Sequence, residues 1–138
     1  MNISRKILIV EVVEDEAAER SALHDKLTRK GYAVLDAKDG EEGIEIALRE
    51  HPDMILLDIR MPKMDGVTMM HKLREDEWGK KASIIILTNF DENNDRLLEV
   101  ISDQPSYYLM KADTSLDQVL EKIQEVLKFK EESVKPLS

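Results

Sequence analysis

Cysteine is absent from the 138-residue chain. That excludes disulfide frameworks, thiol nucleophiles and cysteine-ligated zinc or iron–sulfur sites, and it fits a reducing compartment. Basic charge is in deficit: 20 Lys+Arg stand against 29 Asp+Glu, for a net charge of −9. Nucleic acid held by charge needs a basic face, so no direct nucleic-acid binding is expected. Long hydrophobic runs are missing too. The longest are four residues, such as Ile7–Val10, Met54–Leu57 and Ile84–Leu87, against the roughly 20 that a membrane helix needs. Glu11 interrupts the apolar stretch near the N-terminus, which leaves no signal-peptide core. The expectation is no membrane association and a cytoplasmic location. Aromatic residues make up only 4%, so the core must be mostly aliphatic. There is no internal repeat, low-complexity tract or Gly/Ser linker. What remains, 42% apolar and 36% charged residues, is the balance of a globular protein of one domain.

Two periodicities take turns along the chain. Lys6–Val13 is β-branched and apolar, broken once by Glu11, and reads as a strand. Asp15–Lys30 reads as a helix with Ala18, Ala22, Leu23 and Leu27 inward and Gly31 as its stop. Tyr32–Ala37 is a short strand. Asp39 caps a helix with Ile44, Ala47 and Leu48 as its stripe, ended by His51-Pro52. Asp53–Ile59 has the fully apolar centre of a strand covered on both faces, and Asp53 is read as the start of that strand. Gly66–Trp78 is helical, with Val67, Met70 and Leu73 inward. Ser83–Thr88 is a second two-sided strand. Asp91–Asp103 is a helix, and Tyr107–Met110 a last strand. Ser115–Lys130 is the clearest helix, and Ser115 with Gln118 has capping-box spacing. Such alternation predicts a parallel sheet with helices on both faces and right-handed crossovers. The expected domain is 1–130, followed by a solvated tail at 131–138.

In such a fold the chemistry gathers at the carboxyl edge of the strands. Glu14, Asp15 and Glu16 follow the first strand, Asp58 ends the third, Thr88 the fourth, and Lys111 follows the fifth. Acids and helix caps collect at strand ends in any α/β protein, but the whole set has a chemical logic. Carboxylates placed together repel, and a divalent cation relieves that. Hard oxygen ligands with no His or Cys beside them select Mg²⁺, or Mn²⁺, over zinc. A lysine and a threonine facing them suit phosphoryl oxygens. The pattern therefore points to magnesium-assisted phosphoryl chemistry with an aspartate nucleophile. His24, His51 and His71 lack ligand spacing and read as surface residues. Met61, Met64, Met69 and Met70 read as packing and loop residues, and Trp78 as a partly exposed cap on the third helix.

Specific motifs then carry a resemblance. Ile7-Leu8-Ile9-Val10 with Glu14-Asp15-Glu16, the stretch Leu56-Leu57-Asp58-Ile59-Arg60-Met61-Pro62-Lys63-Met64-Asp65-Gly66, Ile86-Leu87-Thr88, and Tyr108 three before Lys111 resemble the response-regulator receiver domain. The likeness covers roughly residues 5–128. It implies a flavodoxin-like, doubly wound five-stranded parallel sheet in the order 2-1-3-4-5 with five helices. It implies Asp58 as acceptor of a phosphoryl group from a histidine kinase, a histidine phosphotransfer protein or a small phosphodonor. Asp15, Asp58, the Arg60 backbone carbonyl and, through water, Glu14 would hold Mg²⁺. Lys111 would pair with one phosphoryl oxygen, Thr88 would bond another, and Tyr108 would turn with it. That would switch the surface of the fourth helix, fifth strand and fifth helix for a downstream protein partner. With no effector domain after Lys130, the expectation is a stand-alone switch, either a monomer or a phosphorylation-dependent or strand-swapped dimer. Arg60 and Phe90 flank the expected water path, and neither readily orients water, so self-dephosphorylation should be slow.

The chain departs from the pattern in three places. Its first strand is about three residues long for its acid pair. This puts Glu11 inside a central strand and predicts a raised pKa, a bulge, or altered pairing such as a swap between chains. Lys111-Ala112 replaces the usual Lys-Pro, predicting a trans bond and a rearranged loop. Asp103-Gln104-Pro105-Ser106 stands where a small pair usually leads into the fifth strand. Two rival readings follow. One is a pseudo-receiver that binds without switching. The other is an aspartate-nucleophile phosphatase, which usually carries a second acid where this chain has Arg60.

Overall fold

The computed structural model describes residues 7–59, 64–88, 105, 107–110 and 114–134. Their elements are β1 (Ile9–Val13), α1 (Ala17–Arg29), β2 (Ala33–Ala37), α2 (Gly40–Glu50), β3 (Met54–Asp58), α3 (Gly66–Glu75), a 3₁₀ turn (Gly79–Lys81), β4 (Ile84–Thr88), β5 (Tyr107–Met110) and α4 (Leu116–Val134). The helix expected at 91–103 lies outside the described residues, so four of the five expected α-helices are described. All strand pairs are parallel, in the order β2-β1-β3-β4-β5. Alternation and topology are thus as the sequence implies.

The inner strands β3 and β4 bury both faces because they are apolar at odd and even positions alike. Val13, Ile55, Leu57, Ile84 and Ile86 pack on one side with Ala47, Val67, Met70 and Leu73. Val10, Val12, Met54, Leu56, Ile85 and Leu87 pack on the other with Leu23, Leu27, Val119, Leu120, Ile123 and Leu127. Met69 and Met70 are fully buried, which bears out their reading as packing residues. Local signals place the helix starts. Asp39 accepts the Glu42 N–H at 2.9 Å and Asp65 accepts the Thr68 N–H at 2.8 Å. Ser115 and Gln118 form the reciprocal capping box, at 2.8 and 3.2 Å.

Several boundaries and faces differ from the periodicity. Ala18 and Ala22 are exposed, because α1 turns only Leu23 and Leu27 into the core. Leu48 and Leu116 sit at helix margins, 39% and 38% exposed. The third helix stops at Glu75 rather than Trp78. Asp76 accepts the N–H groups of Trp78 and Gly79 at 2.9 and 3.0 Å, which bends the chain into the 3₁₀ turn. Trp78 instead stacks on His51, ring centroids 4.5 Å apart. The last helix continues past Lys130 to Val134.

The first strand is the main surprise. It spans Ile9–Val13 rather than Lys6–Val13, and Ile7 is left 65% exposed. Its register is continuous on both sides: Glu11 lies opposite Leu35 of β2 and Ile55 of β3, within the same chain and without a bulge. Asp53 fixes where the strand begins. Its N–H donates to the Ile9 carbonyl and its carboxylate accepts the Ile9 N–H, both at 2.8 Å. The surplus residues are therefore absorbed before the strand, and Glu11 takes a core position. Its side chain is fully buried and neither carboxyl oxygen has a hydrogen-bond partner among the described residues. Burial, with a smaller contribution from the nearby Glu42, pushes its pKa up to about 9. Of the three outcomes expected for this residue, the continuous register shows neither a bulge nor an altered pairing, and burial leaves the raised pKa.

Glu11 is thus a proton-holding acid at neutral pH. The unfolded chain releases that proton near pH 4.5, the folded chain only near 9. Stability should therefore be highest below about pH 4.5 as far as this group goes, fall as the pH rises, and level off above about 9. At pH 7 the cost is about 3 kcal/mol, at roughly 1.36 kcal/mol per pH unit. Glu11→Leu should recover a cost of that order and flatten the slope, which urea titrations at several pH values would measure.

Candidate functional site

Three carboxylates meet at the carboxyl edge of the sheet. β1 and β3 run in parallel with Val13 opposite Leu57, so Glu14 and Asp58 leave the sheet side by side. Asp15 follows on the loop into α1. One carboxylate oxygen from each of Glu14, Asp15 and Asp58 lies within 4.8 Å of the others. Glu14 and Asp58 are buried, 1% and 5% exposed, while Asp15 is open to solvent. Three anions at that spacing in a partly desolvated site repel strongly. The donor set is all oxygen, and this cluster contains no histidine. It fits a hard divalent cation such as Mg²⁺ and suits zinc poorly.

The backbone holds this geometry. The Glu14 N–H donates to the Ala37 carbonyl at 3.0 Å, extending the pairing with β2 by one residue. The Glu14 carboxylate accepts the Glu16 N–H at 3.2 Å, taking up one of the free donors at the start of α1. Arg20 was not singled out by the sequence. Its guanidinium reaches back from α1 to donate to the Glu14 carbonyl at 2.7 Å and the Asp15 carbonyl at 3.3 Å. It fixes the acidic loop without touching the carboxylates. The available signal was an arginine in the first turn or so of the helix after an acid pair, which is too common to single out.

Gly66 explains the end of the Met-Pro-x-Met-Asp-Gly stretch. Its N–H donates to the Ile59 carbonyl at 2.9 Å. A Cβ added there would sit 2.4 Å from the Asp58 carbonyl oxygen and 2.8 Å from the Ile59 Cα. α3 can therefore start against the backbone of Asp58 only if this residue is glycine. Gly40 does the same at the start of α2, where a Cβ would lie 2.3 Å from the Met64 carbonyl oxygen.

Of the other expected site residues, Thr88 ends β4 with Met110 of β5 opposite it. Tyr108 lies on the edge strand β5 and is 46% exposed. Arg60 and Lys111 lie outside the described residues, as do Phe90, Met61 and Ala112. Glu16 is exposed, caps α1 by position only, and does not join the acid cluster. No helix among the described residues is long and apolar enough to cross a membrane.

A five-stranded parallel sheet in this order, with an acid triad at its carboxyl edge, defines a class, and the comparisons agree. Residues 10–124 match the model of the response regulator receiver domain. The chain belongs to that family. It is 38% identical over 95 residues to the response regulator PleD of Caulobacter vibrioides, covering 69% of this chain and 20% of PleD. It is 40% identical over 96 residues to the alkaline phosphatase synthesis transcriptional regulatory protein PhoP of Bacillus subtilis, covering 70% of this chain and 38% of PhoP. The chain thus spans well under half the length of these relatives. In fold it is similar to a CheY-like response regulator receiver domain protein from Methanospirillum hungatei, with a TM-score of 0.84 at 23% identity, covering 93% of this chain and 99% of that one. The Glu14, Asp15 and Asp58 cluster is typical of the acidic site of receiver domains.

Two substitutions test how this site is built. Gly66→Ala should cost about 1–3 kcal/mol by overpacking against Asp58, seen as a lower urea midpoint with an unchanged slope. Arg20→Ala should weaken Mg²⁺ binding roughly tenfold by loosening the loop that carries Glu14 and Asp15, measured by calorimetry.

Proposed function

We propose that this chain is a phosphorylation-dependent switch in which Asp58 accepts a phosphoryl group. The observation that carries the reading is the convergence of Glu14, Asp15 and Asp58 at the carboxyl edge of the sheet, with Asp58 buried at the end of β3. A carboxylate oxygen of Asp58 attacks phosphorus. The new O–P bond forms as the bond to the donor breaks, releasing the imidazole of a phosphohistidine or the acetate of acetyl phosphate. The donor in the cell is a histidine kinase or a histidine phosphotransfer protein, as a receiver domain implies. Asp15, Asp58 and the Arg60 backbone carbonyl would hold Mg²⁺, with Mn²⁺ as an alternative, and Glu14 would help to position it through water. When bound, the cation offsets the carboxylate charge and stabilises charge on the phosphoryl oxygens.

The remaining roles belong to the chain. The Lys111 ammonium pairs with a phosphoryl oxygen, and the Thr88 hydroxyl donates to another. Tyr108, half-exposed on the edge strand, turns with Thr88 and changes the surface beside β5. A downstream protein reads that change. No direct nucleic-acid contact is needed by a chain carrying a net charge of −9. Arg60 and Phe90 make hydrolysis of the acyl phosphate slow.

The test is mass spectrometry after incubation with acetyl phosphate. The expected result is a gain of one phosphoryl group that requires Mg²⁺, is lost in Asp58→Asn, and decays over minutes to hours. No gain under any condition would favour a pseudo-receiver that binds without switching. Turnover of a soluble phosphoester would favour the phosphatase.

A further inference from the structure

The first strand contains two candidate registers. The sequence Ile7-Leu8-Ile9-Val10-Glu11-Val12-Val13-Glu14 presents an apolar run ending in glutamate twice, the two glutamates three residues apart. In the observed register Val10, Glu11, Val12 and Val13 lie opposite Met54, Ile55, Leu56 and Leu57. A slide of three residues would put Ile7, Leu8, Ile9 and Val10 there and Glu11 where Glu14 now stands.

An odd slide exchanges the two faces of a strand, which is normally prohibitive because one face is polar. Here it is less prohibitive, because both sides of β1 face apolar layers and the four residues brought opposite Met54–Leu57 are all apolar, although Lys6 would come to the place of Ile9 at the start of the strand. The slide would bury Ile7, now 65% exposed. It would also free Glu11, whose two carboxyl oxygens are buried without a partner among the described residues, replacing it with Leu8. The loop between β1 and α1 would grow from three residues to six, still an ordinary length for such a connection. Three things would be lost. Val12 and Val13, buried now, would leave the core for the loop. Val12 would replace Asp15 beside Asp58, dismantling the acid triad, and Arg20 would lose its hold on the Glu14 and Asp15 carbonyls.

We propose that β1 exchanges between these two registers and that a divalent cation selects the observed one, because only that register assembles Glu14, Asp15 and Asp58. The buried Glu11 is the feature that keeps the second register accessible. A ligand that binds one of two states shifts the population toward it by its difference in affinity. Cation binding would thus order the first strand as well as fill the site. This inference rests on the acid cluster being a cation site, as proposed above.

The absence of native cysteine permits a single reporter. Ile7→Cys exposes its thiol in the observed register and buries it in the slid one. Its labelling by a soluble thiol reagent should be faster in Mg²⁺ than in EDTA, by about twofold if half the molecules slide without cation. Adding Glu11→Leu should abolish the difference by locking the observed register. Calorimetry on the same sample separates the two readings. Mg²⁺ binding with unchanged labelling overturns the exchange alone, whereas no binding overturns the cation site and the exchange with it.

A second variant is independent of the reporter. Val12 is fully buried in the observed register, so Val12→Asp would place a carboxylate in the core there, yet would rebuild an acid pair beside Asp58 in the slid one. The expected protein is folded by circular dichroism and binds Mg²⁺, and adding Asp15→Asn does not weaken that binding. An unfolded Val12→Asp protein, or one whose binding still needs Asp15, overturns the proposal.

Discussion

The parallel alignment of β1 with β3 is the constraint on which the rest of this molecule depends. With Val13 opposite Leu57, the next residues on the two strands are Glu14 and Asp58, and their carboxylates meet where the hydrogen-bond ladder ends. Each residue of slip would move Glu14 by roughly 3.3 Å along the sheet, enough to disperse a cluster whose oxygens lie within 4.8 Å of one another. The contacts that hold this alignment come from outside the acid triad. Asp53 ties down the start of β1, the Ala37 carbonyl receives the Glu14 N–H, and Arg20 grips the loop carbonyls. The site is thus set by backbone pairing, and the carboxylates inherit their positions.

That alignment carries a cost, concentrated in one residue. Glu11 is buried in the core with no hydrogen bond to either carboxyl oxygen among the described residues. An ionised carboxylate cannot be sustained there, so the proton stays on. A strand serving stability alone would place an aliphatic residue at this position, and Leu8 or Ile9 is available a few residues upstream. The fold accepts an uncomfortable core residue, and in that register Glu14 and Asp15 reach Asp58. Conflicts of this kind between local comfort and a global arrangement tend to mark functional positions.

The two glycines at the helix starts express the same economy of space. Gly66 lets α3 begin against the backbone of Asp58, and Gly40 lets α2 begin against the Met64 carbonyl. Both follow an aspartate that caps the helix through its side chain. The Asp-Gly pairs at 39–40 and 65–66 therefore do two jobs in adjacent residues: one satisfies free backbone donors, and the other removes the Cβ that would hold the layers apart.

The sequence by itself determined the alternation of strands and helices, the two-sided burial of β3 and β4, the caps at Asp39 and Ser115, and the membership of Glu14, Asp15 and Asp58 in one acid cluster. These are legible because they rest on local chemistry: periodicity, capping spacing, and acids placed where a strand ends. Tertiary structure alone decided where β1 begins, which alanines of α1 face solvent, where α3 stops, and that Arg20 serves the acidic loop. Each of these depends on a contact with a residue distant in sequence or across a turn. An apolar run fits a buried strand equally well in more than one register. Only the tertiary structure shows the register that is adopted, with Ile9 against Asp53 and Glu14 against Ala37, and that register builds the site.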